Sequence, residues 1–280
     1  MQKFGLHTHT TFSDGRNTVE EMLRQAVLLG FDQIGISDHL MVHKNIKQTP
    51  SWDEIENCGG CASFHDAVDK CNKHAEDIRK TGKMLGISTF VGYEVDYFTY
   101  SGWEDEFRDF LKKIDYDYLI SGNHFLTSQN GEDIFDIWRF DKTGIFAPEP
   151  VDVYLKRHFQ TIEESVRSEL FLFLAHLDYA QKAKSYVESE HGKALTSIIS
   201  ALKETKTGCE ISTKGIRKFG HYYPSERILR ELIASDVALI ISDDAHATNE
   251  LGFYFAETEE ELTRLKCKNR LNIFKKINLF

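Results

Sequence analysis

Proline occurs only four times in 280 residues, and no low-complexity tract or internal repeat is visible, so nothing marks an interdomain linker. Cysteine occurs five times, as Cys58, Cys61, Cys71, Cys209 and Cys267. That odd count argues against a disulfide framework and for free thiols. The CxxC spacing of Cys58-Gly59-Gly60-Cys61 has no second pair beside it and reads as reduced surface thiols on a loop. No apolar run approaches the roughly 20 residues that cross a bilayer. Met1-Gln2-Lys3 leads into no signal-peptide core, because His7 and His9 interrupt it, so the chain is expected in the cytoplasm, without a membrane partner. Basic charge is also short, with 34 Lys and Arg against 44 Asp and Glu, a net charge of −10. A phosphate backbone rewards a basic face, so long nucleic acid is not expected as a partner. A small phosphorylated metabolite stays open, since bound divalent cations reverse the local field.

What is present is ordinary globular material, 41% hydrophobic and 28% charged. Apolar strands alternate with amphipathic helices. The strands read as Lys3–His9, Gln33–Ser37, Ser88–Val95, Tyr118–Asn123, Leu170–His176, Thr207–Ile211 and Val237–Ser242. The helices read as Thr18–Leu29, Cys61–Thr81, Glu104–Lys113, Val151–Ser168, Glu188–Glu204 and Pro224–Ser235, with Thr18-Val19-Glu20-Glu21 as a capping box and Pro224 as a first-turn proline. This alternation implies a parallel sheet covered by helices, and seven strands suggest an α/β barrel, one domain over residues 1–280. His43–Ile55 and Phe125–Pro150 fall outside the alternation and read as loops over the barrel mouth.

The polar residues fall where such barrels build chemistry. His7 and His9, Asp38 and His39, Glu94 and Asp96, His124, His176 and Asp178, and Asp244 and His246 all lie at or just past a strand's C-terminal end. Side chains two apart on a strand share a face, so His7 and His9 can grip one cation, and Asp244 and His246 can do likewise if extended. Imidazole and carboxylate suit zinc, manganese and iron alike. The pattern implies a metal-dependent hydrolase.

His7-Thr8-His9, Ser13-Asp14-Gly15, Ser37-Asp38-His39, Gly92-Tyr93-Glu94, Gly122-Asn123-His124, Ala175-His176-Leu177-Asp178 and Ser242-Asp243-Asp244-Ala245-His246 together resemble, in order, the motif set of the PHP (polymerase and histidinol phosphatase) family. The resemblance is greatest to its histidinol-phosphate phosphatase branch. It implies a distorted (β/α)7 barrel with two to three divalent metal ions (Zn, Mn or Fe) at the strand C-termini. By motif, one metal would take His7, His9, Glu94 and Asp244; a second would share Glu94 and add His124 and His176; a third would take Asp14, His39 and His246. The implied reaction is hydrolysis of a phosphomonoester, most simply histidinol phosphate, by a metal-bridging hydroxide.

Asp38, Asp178 and Asp243 neighbour these positions and read as orienting or proton-transfer groups, and Asp96 as an orienting group or a plain strand-end residue. Asp243 and His43 are the candidates for the acid that protonates the leaving alkoxide, beside Asp244. Arg217 follows the sixth strand where similar family segments carry a phosphate-binding Arg, and His43 is a further substrate contact. The turn after His176 lacks the Arg expected there, and Lys182 or Lys184 is the stand-in. Of the other histidines, His65 and His74 read as a solvated helix face, and His158, His191 and His221 as packed or surface residues. Three rival readings remain: a PHP-type enzyme for another phosphorylated metabolite or a short oligonucleotide end, a non-catalytic metal-binding module, and an amide hydrolase. The last usually bridges its metals with a carboxylated Lys or a further strand-end His; no mid-chain Lys is found at a strand end, and Glu94 fills that place.

Overall fold

Seven parallel strands follow one another around the sheet in chain order: β1 (Phe4–Gly5), β2 (Gln33–Ile36), β3 (Ser88–Val95), β4 (Tyr118–Ser121), β5 (Phe173–Leu174), β6 (Gly208–Ser212) and β7 (Leu239–Ser242). The computed structural model describes residues 2–49, 52–56, 58–137, 149–182 and 191–271. The last strand returns to the first through a parallel bridge between Thr8 and Ala245, with His9 N–H donating to the Ala245 carbonyl at 2.8 Å. The sheet thus closes into a distorted (β/α)7 barrel. It closes at the C-terminal rim, which draws the opening His-x-His segment against the segment after β7.

Helices α1 (Val19–Leu28), α2 (Phe64–Leu85), α3 (Trp103–Leu111), α4 (Val151–Arg167), α5 (Gly192–Thr205), α6 (Lys214–Phe219), α7 (Glu226–Ala234) and α8 (Phe255–Arg264) complete the alternation. Helix α1 begins at the expected capping box: Glu21 N–H donates to Thr18 Oγ1, and Thr18 N–H to the Glu21 carboxylate. Inside the barrel, the Tyr118 ring lies over Gly35 and Gly92, where a β-carbon would collide with it, and its hydroxyl donates to the Leu6 carbonyl at 2.8 Å. No helix among the described residues is long and apolar enough to cross a membrane.

Several local expectations are corrected. Helix α7 starts at Glu226, so Pro224 precedes it and is not a first-turn residue; Tyr223 is held extended by a backbone bridge to Ser212, and the Tyr223–Pro224 bond is cis. The expected loop His43–Ile55 holds a 3-10 turn, Ile46–Gln48, and a short helix, Trp52–Ile55, and strands flank it. His39–Val42 forms a further parallel strand beside the end of β3, and Gly60–Cys61 pairs with it in turn. Cys61 is therefore a buried strand residue, not a surface thiol, and Cys58 is half-buried. Phe125–Thr127 and Ile134–Asp136 form an antiparallel hairpin after β4, and residues 138–148 lie outside the described residues.

Candidate metal centre

His7 and His9 flank the closing bridge of the barrel, and both are fully buried. Glu94 stands at the end of β3, paired in register with His39 on the neighbouring strand, and is also fully buried. Its two carboxylate oxygens divide the site between them. Oε2 lies 3.2 Å from His7 Nε2, 3.4 Å from His9 Nε2 and 3.0 Å from His39 Nδ1. Oε1 lies 2.9 Å from His176 Nε2 and 3.4 Å from His124 Nε2. Asp244 Oδ1 closes the other side, 3.2 Å from His9 Nε2 and 3.6 Å from His7 Nε2. Toward the mouth, Asp14 lies 2.9 Å from His246 Nε2, 3.5 Å from His39 Nε2 and 3.7 Å from His9 Nδ1.

All nine residues singled out as metal ligands fall into four overlapping groups, each with donor atoms within 4.8 Å of one another: His9, Asp14, His39 and His246; His7, His9 and Glu94; His7, His176 and Asp244; His39, Glu94 and His124. The division differs from the motif-based one in that His39 faces both Asp14 and Glu94, and His9 joins the outer group. Sequence could not show this, because it depends on how the barrel closes.

The donor set fits divalent cations. His7 Nε2, both ring nitrogens of His9, His39 Nδ1, His176 Nδ1, Glu94 Oε2 and Asp244 Oδ1 are buried polar atoms with no hydrogen-bond partner. Leaving so many buried acceptors and donors unmatched is costly unless a ligand completes them. The charge state of the two carboxylates and of His9 agrees. Burial would raise the Glu94 carboxyl, but His7, His124 and His39 hold it well below the usual range. Burial would likewise raise Asp244, and Lys214 and His7 pull it well down. His9 is pushed down to about 3 by burial and by the neighbouring His246 and His39. His7 and His39 go the other way: burial would lower them, but Asp244, Glu94 and Glu210 around His7, and Asp14 and Glu94 around His39, hold them well above the usual range. A metal would have to displace a proton from each to bind neutral imidazole.

Neighbouring groups fix these side chains. Asp96 accepts from both the backbone N–H and Nδ1 of His124, so it is an orienting residue. Asp38 accepts from Thr10 N–H, Thr10 Oγ1 and Ser13 Oγ, which folds the turn that carries Asp14. Its fourth donor corrects the reading of His74: that ring is buried, donates to Asp38 Oδ2 at 2.9 Å and stacks on Phe12, whereas His65 is exposed as expected. Gly122 sits where a β-carbon would come within 2.6 Å of His124 Cε1 and 2.7 Å of Glu94 Oε1. Positive φ angles at Asn123 (55°), His176 (20°) and Asp244 (46°) mark a backbone bent at the rim, a strain often found at functional sites.

Two contributors lay outside the sequence reading. Glu210 on β6 is fully buried and accepts from His7 Nδ1 at 2.8 Å, His176 N–H at 2.6 Å and Ser242 Oγ at 2.6 Å. It stands two residues inside the strand end, on the face that points into the barrel, and that offset is the signal that could have found it. Lys214, two residues beyond β6, places Nζ 2.8 Å from Asp244 Oδ2.

The remaining expected residues are placed unevenly. Arg217 reaches the site: its Nη2 donates to the Asp244 carbonyl at 3.3 Å, while Nε and Nη1 are buried without a partner. His43 does not join the cluster. Its Nε2 pairs with the Gly131 carbonyl at 2.9 Å and its Nδ1 accepts from Asn45 N–H, so both nitrogens are spent on loop structure. Asp178 accepts from Ser225 N–H. Asp243 accepts from Gly252 N–H, and burial pushes its carboxyl up to about 7 despite that bond and Arg217. Lys182 ends a short 3-10 turn, but its side chain, like the whole of Lys184, lies outside the described residues.

Known proteins share this fold. A relative from Deinococcus radiodurans, named as a probable histidinol-phosphatase, is 22% identical over 268 residues, covering 91% of each chain. The structure of a candidate histidinol phosphatase from Listeria monocytogenes superposes with a TM-score of 0.68 at 21% identity, covering 91% of this chain and 99% of that one. That of a histidinol phosphate phosphatase from Lactococcus lactis, complexed with zinc, L-histidinol and phosphate, gives 0.67 at 15% identity, over 96% and 95% of the two chains. The PHP domain family profile matches residues 5–214, three quarters of the sequence, and the chain belongs to that family.

Proposed function

We propose that this metal-dependent PHP phosphoesterase is a phosphomonoesterase whose substrate is histidinol phosphate, and that residues 1–280 act as one barrel domain. The observation that carries the proposal is the convergence on Glu94 of imidazoles from the first strand end to the fifth, with buried donor atoms that no protein group satisfies. Histidinol phosphate is chosen over other monoesters because relatives carrying that activity in their names span nearly the whole chain. In this reading the enzyme works in the cytoplasm on a small metabolite, without long nucleic acid or membrane.

His7, His9, Glu94 and Asp244 would hold one cation, Glu94, His124 and His176 a second, and Asp14, His39 and His246 a third. Such ions supply Lewis-acid charge for the phosphoryl oxygens and acidify a water to serve as nucleophile. The chain's own residues do the rest. Glu210 keeps the His7 proton on Nδ1, which turns the Nε2 lone pair toward Glu94 and Asp244. Arg217 offers its unpartnered Nε and Nη1 donors to phosphate oxygens. Asp243, held near neutrality with Oδ1 unpartnered, is the group that can give a proton to the leaving alkoxide.

Phosphate release from histidinol phosphate, measured for metal-loaded protein beside other phosphomonoesters and dinucleotides, tests the proposal. Turnover should vanish in His9→Ala and Glu94→Ala. Faster turnover of another monoester or a dinucleotide would overturn the substrate, and activity that survives complete metal removal would overturn the mechanism.

A further inference from the structure

Asp244 is shared between two kinds of partner. Its Oδ1 faces imidazoles, 3.2 Å from His9 Nε2 and 3.3 Å from His246 Nδ1, while its Oδ2 lies 2.8 Å from Lys214 Nζ. A lysine ammonium carries three N–H donors, and Asp244 Oδ2 takes one of them. Among the described residues, no other side chain forms an ion pair with Lys214.

The position of this ammonium matters more than the pair itself. The centre is closed around His7 and Glu94, whose side chains are fully buried, and it opens on the side of Asp14 (31% exposed), Lys214 (19%) and His246 (17%). Lys214 therefore stands, with Asp14 and His246, at the accessible edge of the metal positions. Three residues on, and so on the same face of α6, Arg217 touches Asp244 from its backbone side and also meets Glu250 Oε2 at 3.4 Å. Lys214 thus holds the Asp244 carboxylate, while Arg217, itself paired with Glu250, holds the backbone of the same residue. Neutralising Asp244 would need one cation and would use one N–H of Lys214. Lys214 keeps two N–H donors beyond that pair, and Arg217 keeps Nε and Nη1, which have no partner.

We propose that Lys214 is a phosphate-contacting residue, anchored on Asp244 Oδ2, and that with Arg217 it selects a terminal, doubly charged phosphate over a singly charged diester. The inference rests on the phosphomonoesterase reading and extends it to a residue outside the metal ligand set. A point-charge ammonium beside the Arg217 fork matches the three free oxygens of a monoester. A diester has only two free oxygens and half the charge.

The test is calorimetric titration of metal-loaded protein with inorganic phosphate and with dimethyl phosphate, alongside metal analysis. Lys214→Met and Lys214→Gln should keep the full metal complement and bind phosphate roughly tenfold or more weakly, the scale of one charge-assisted hydrogen bond. Lys214→Arg should recover part of that affinity, and dimethyl phosphate binding should change less than phosphate binding. Phosphate affinity within twofold of the parent protein in whichever neutral variant folds would overturn the contact. So would a loss that merely tracks loss of metal. An equal loss for dimethyl phosphate would overturn the selectivity. Binding is read apart from turnover, so the two proposals fail separately. A protein that binds phosphate through Lys214 yet hydrolyses no monoester would remove the phosphatase reading and leave the contact standing.

Discussion

Glu210→Gln isolates the role of a residue that holds a ligand without being one. The carboxylate receives three donors, from His7 Nδ1, the His176 backbone and Ser242 Oγ. A glutamine has one oxygen and one amide nitrogen in place of two oxygens. Whichever way it turns, its N–H₂ group meets a donor. If that donor is the His176 backbone N–H, a buried pair of donors faces each other. If it is His7, the ring is driven to the other tautomer, with a proton on Nε2 where the lone pair should face Glu94 and Asp244. Orienting partners of this kind typically govern metal affinity by 10–100-fold. That corresponds to roughly 1.4–2.8 kcal/mol.

The metal-free protein should respond differently, because removing one negative charge from a crowd that includes Glu94 and Asp244 relieves repulsion and offsets the lost hydrogen bond. The expected result is therefore a small change in the melting temperature of metal-free protein. In saturating-range metal titrations the metal-induced stabilisation should shrink by about 1.4–2.8 kcal/mol, as mass action requires for a dissociation constant raised 10–100-fold. Thermal melts across a zinc or manganese titration, with bound metal measured directly, give both quantities. Unchanged metal affinity would refute the orienting role. An equal destabilisation of the metal-free and metal-loaded forms would show that Glu210 serves only packing.

Three other outcomes are expected. Gly122→Ala should cost about 1–3 kcal/mol and lower bound metal, since its methyl would press on His124 and Glu94; denaturant unfolding and metal analysis check it. His74→Ala should cost about 2–4 kcal/mol in chemical unfolding by stripping Asp38 of a buried donor and Phe12 of its stacking partner, and should reduce turnover through the turn that carries Asp14. His158 is held down to about 4, chiefly by burial, against an ordinary value near 6.5. Between those values the unfolded chain takes up a proton that the folded protein refuses, so stability should fall as pH drops from 6.5 toward 4, by about 3 kcal/mol in full. Melting curves of the parent and His158→Gln should differ in slope over that window and run parallel above it.

Much of this protein was legible in one dimension because its chemistry is written at strand ends. The period-two spacing of His7 and His9 puts both on one strand face wherever that strand lies, and runs such as Ser88–Val95 are apolar enough to declare a buried parallel strand. Position along such a strand then says which side chains reach the rim. What the barrel alone decided are matters of closure and contact. The bridge between Thr8 and Ala245 brings the two ends of the sheet together and lets His9 serve both the inner and the outer cluster. His74 looked solvated because its helix is rich in charge, yet that turn faces Asp38. His43 follows a ligand motif closely enough to suggest chemistry, but the hairpin after β4 took its Nε2 and its own loop, through Asn45 N–H, took its Nδ1. Glu210 carries only the faint signal of its offset from the strand end and Lys214 belongs to no local pattern; each gains its meaning from His7 or Asp244, residues distant in the chain. Local spacing fixes which face a side chain occupies, whereas its partner depends on strand order and register, which no short stretch of residues encodes.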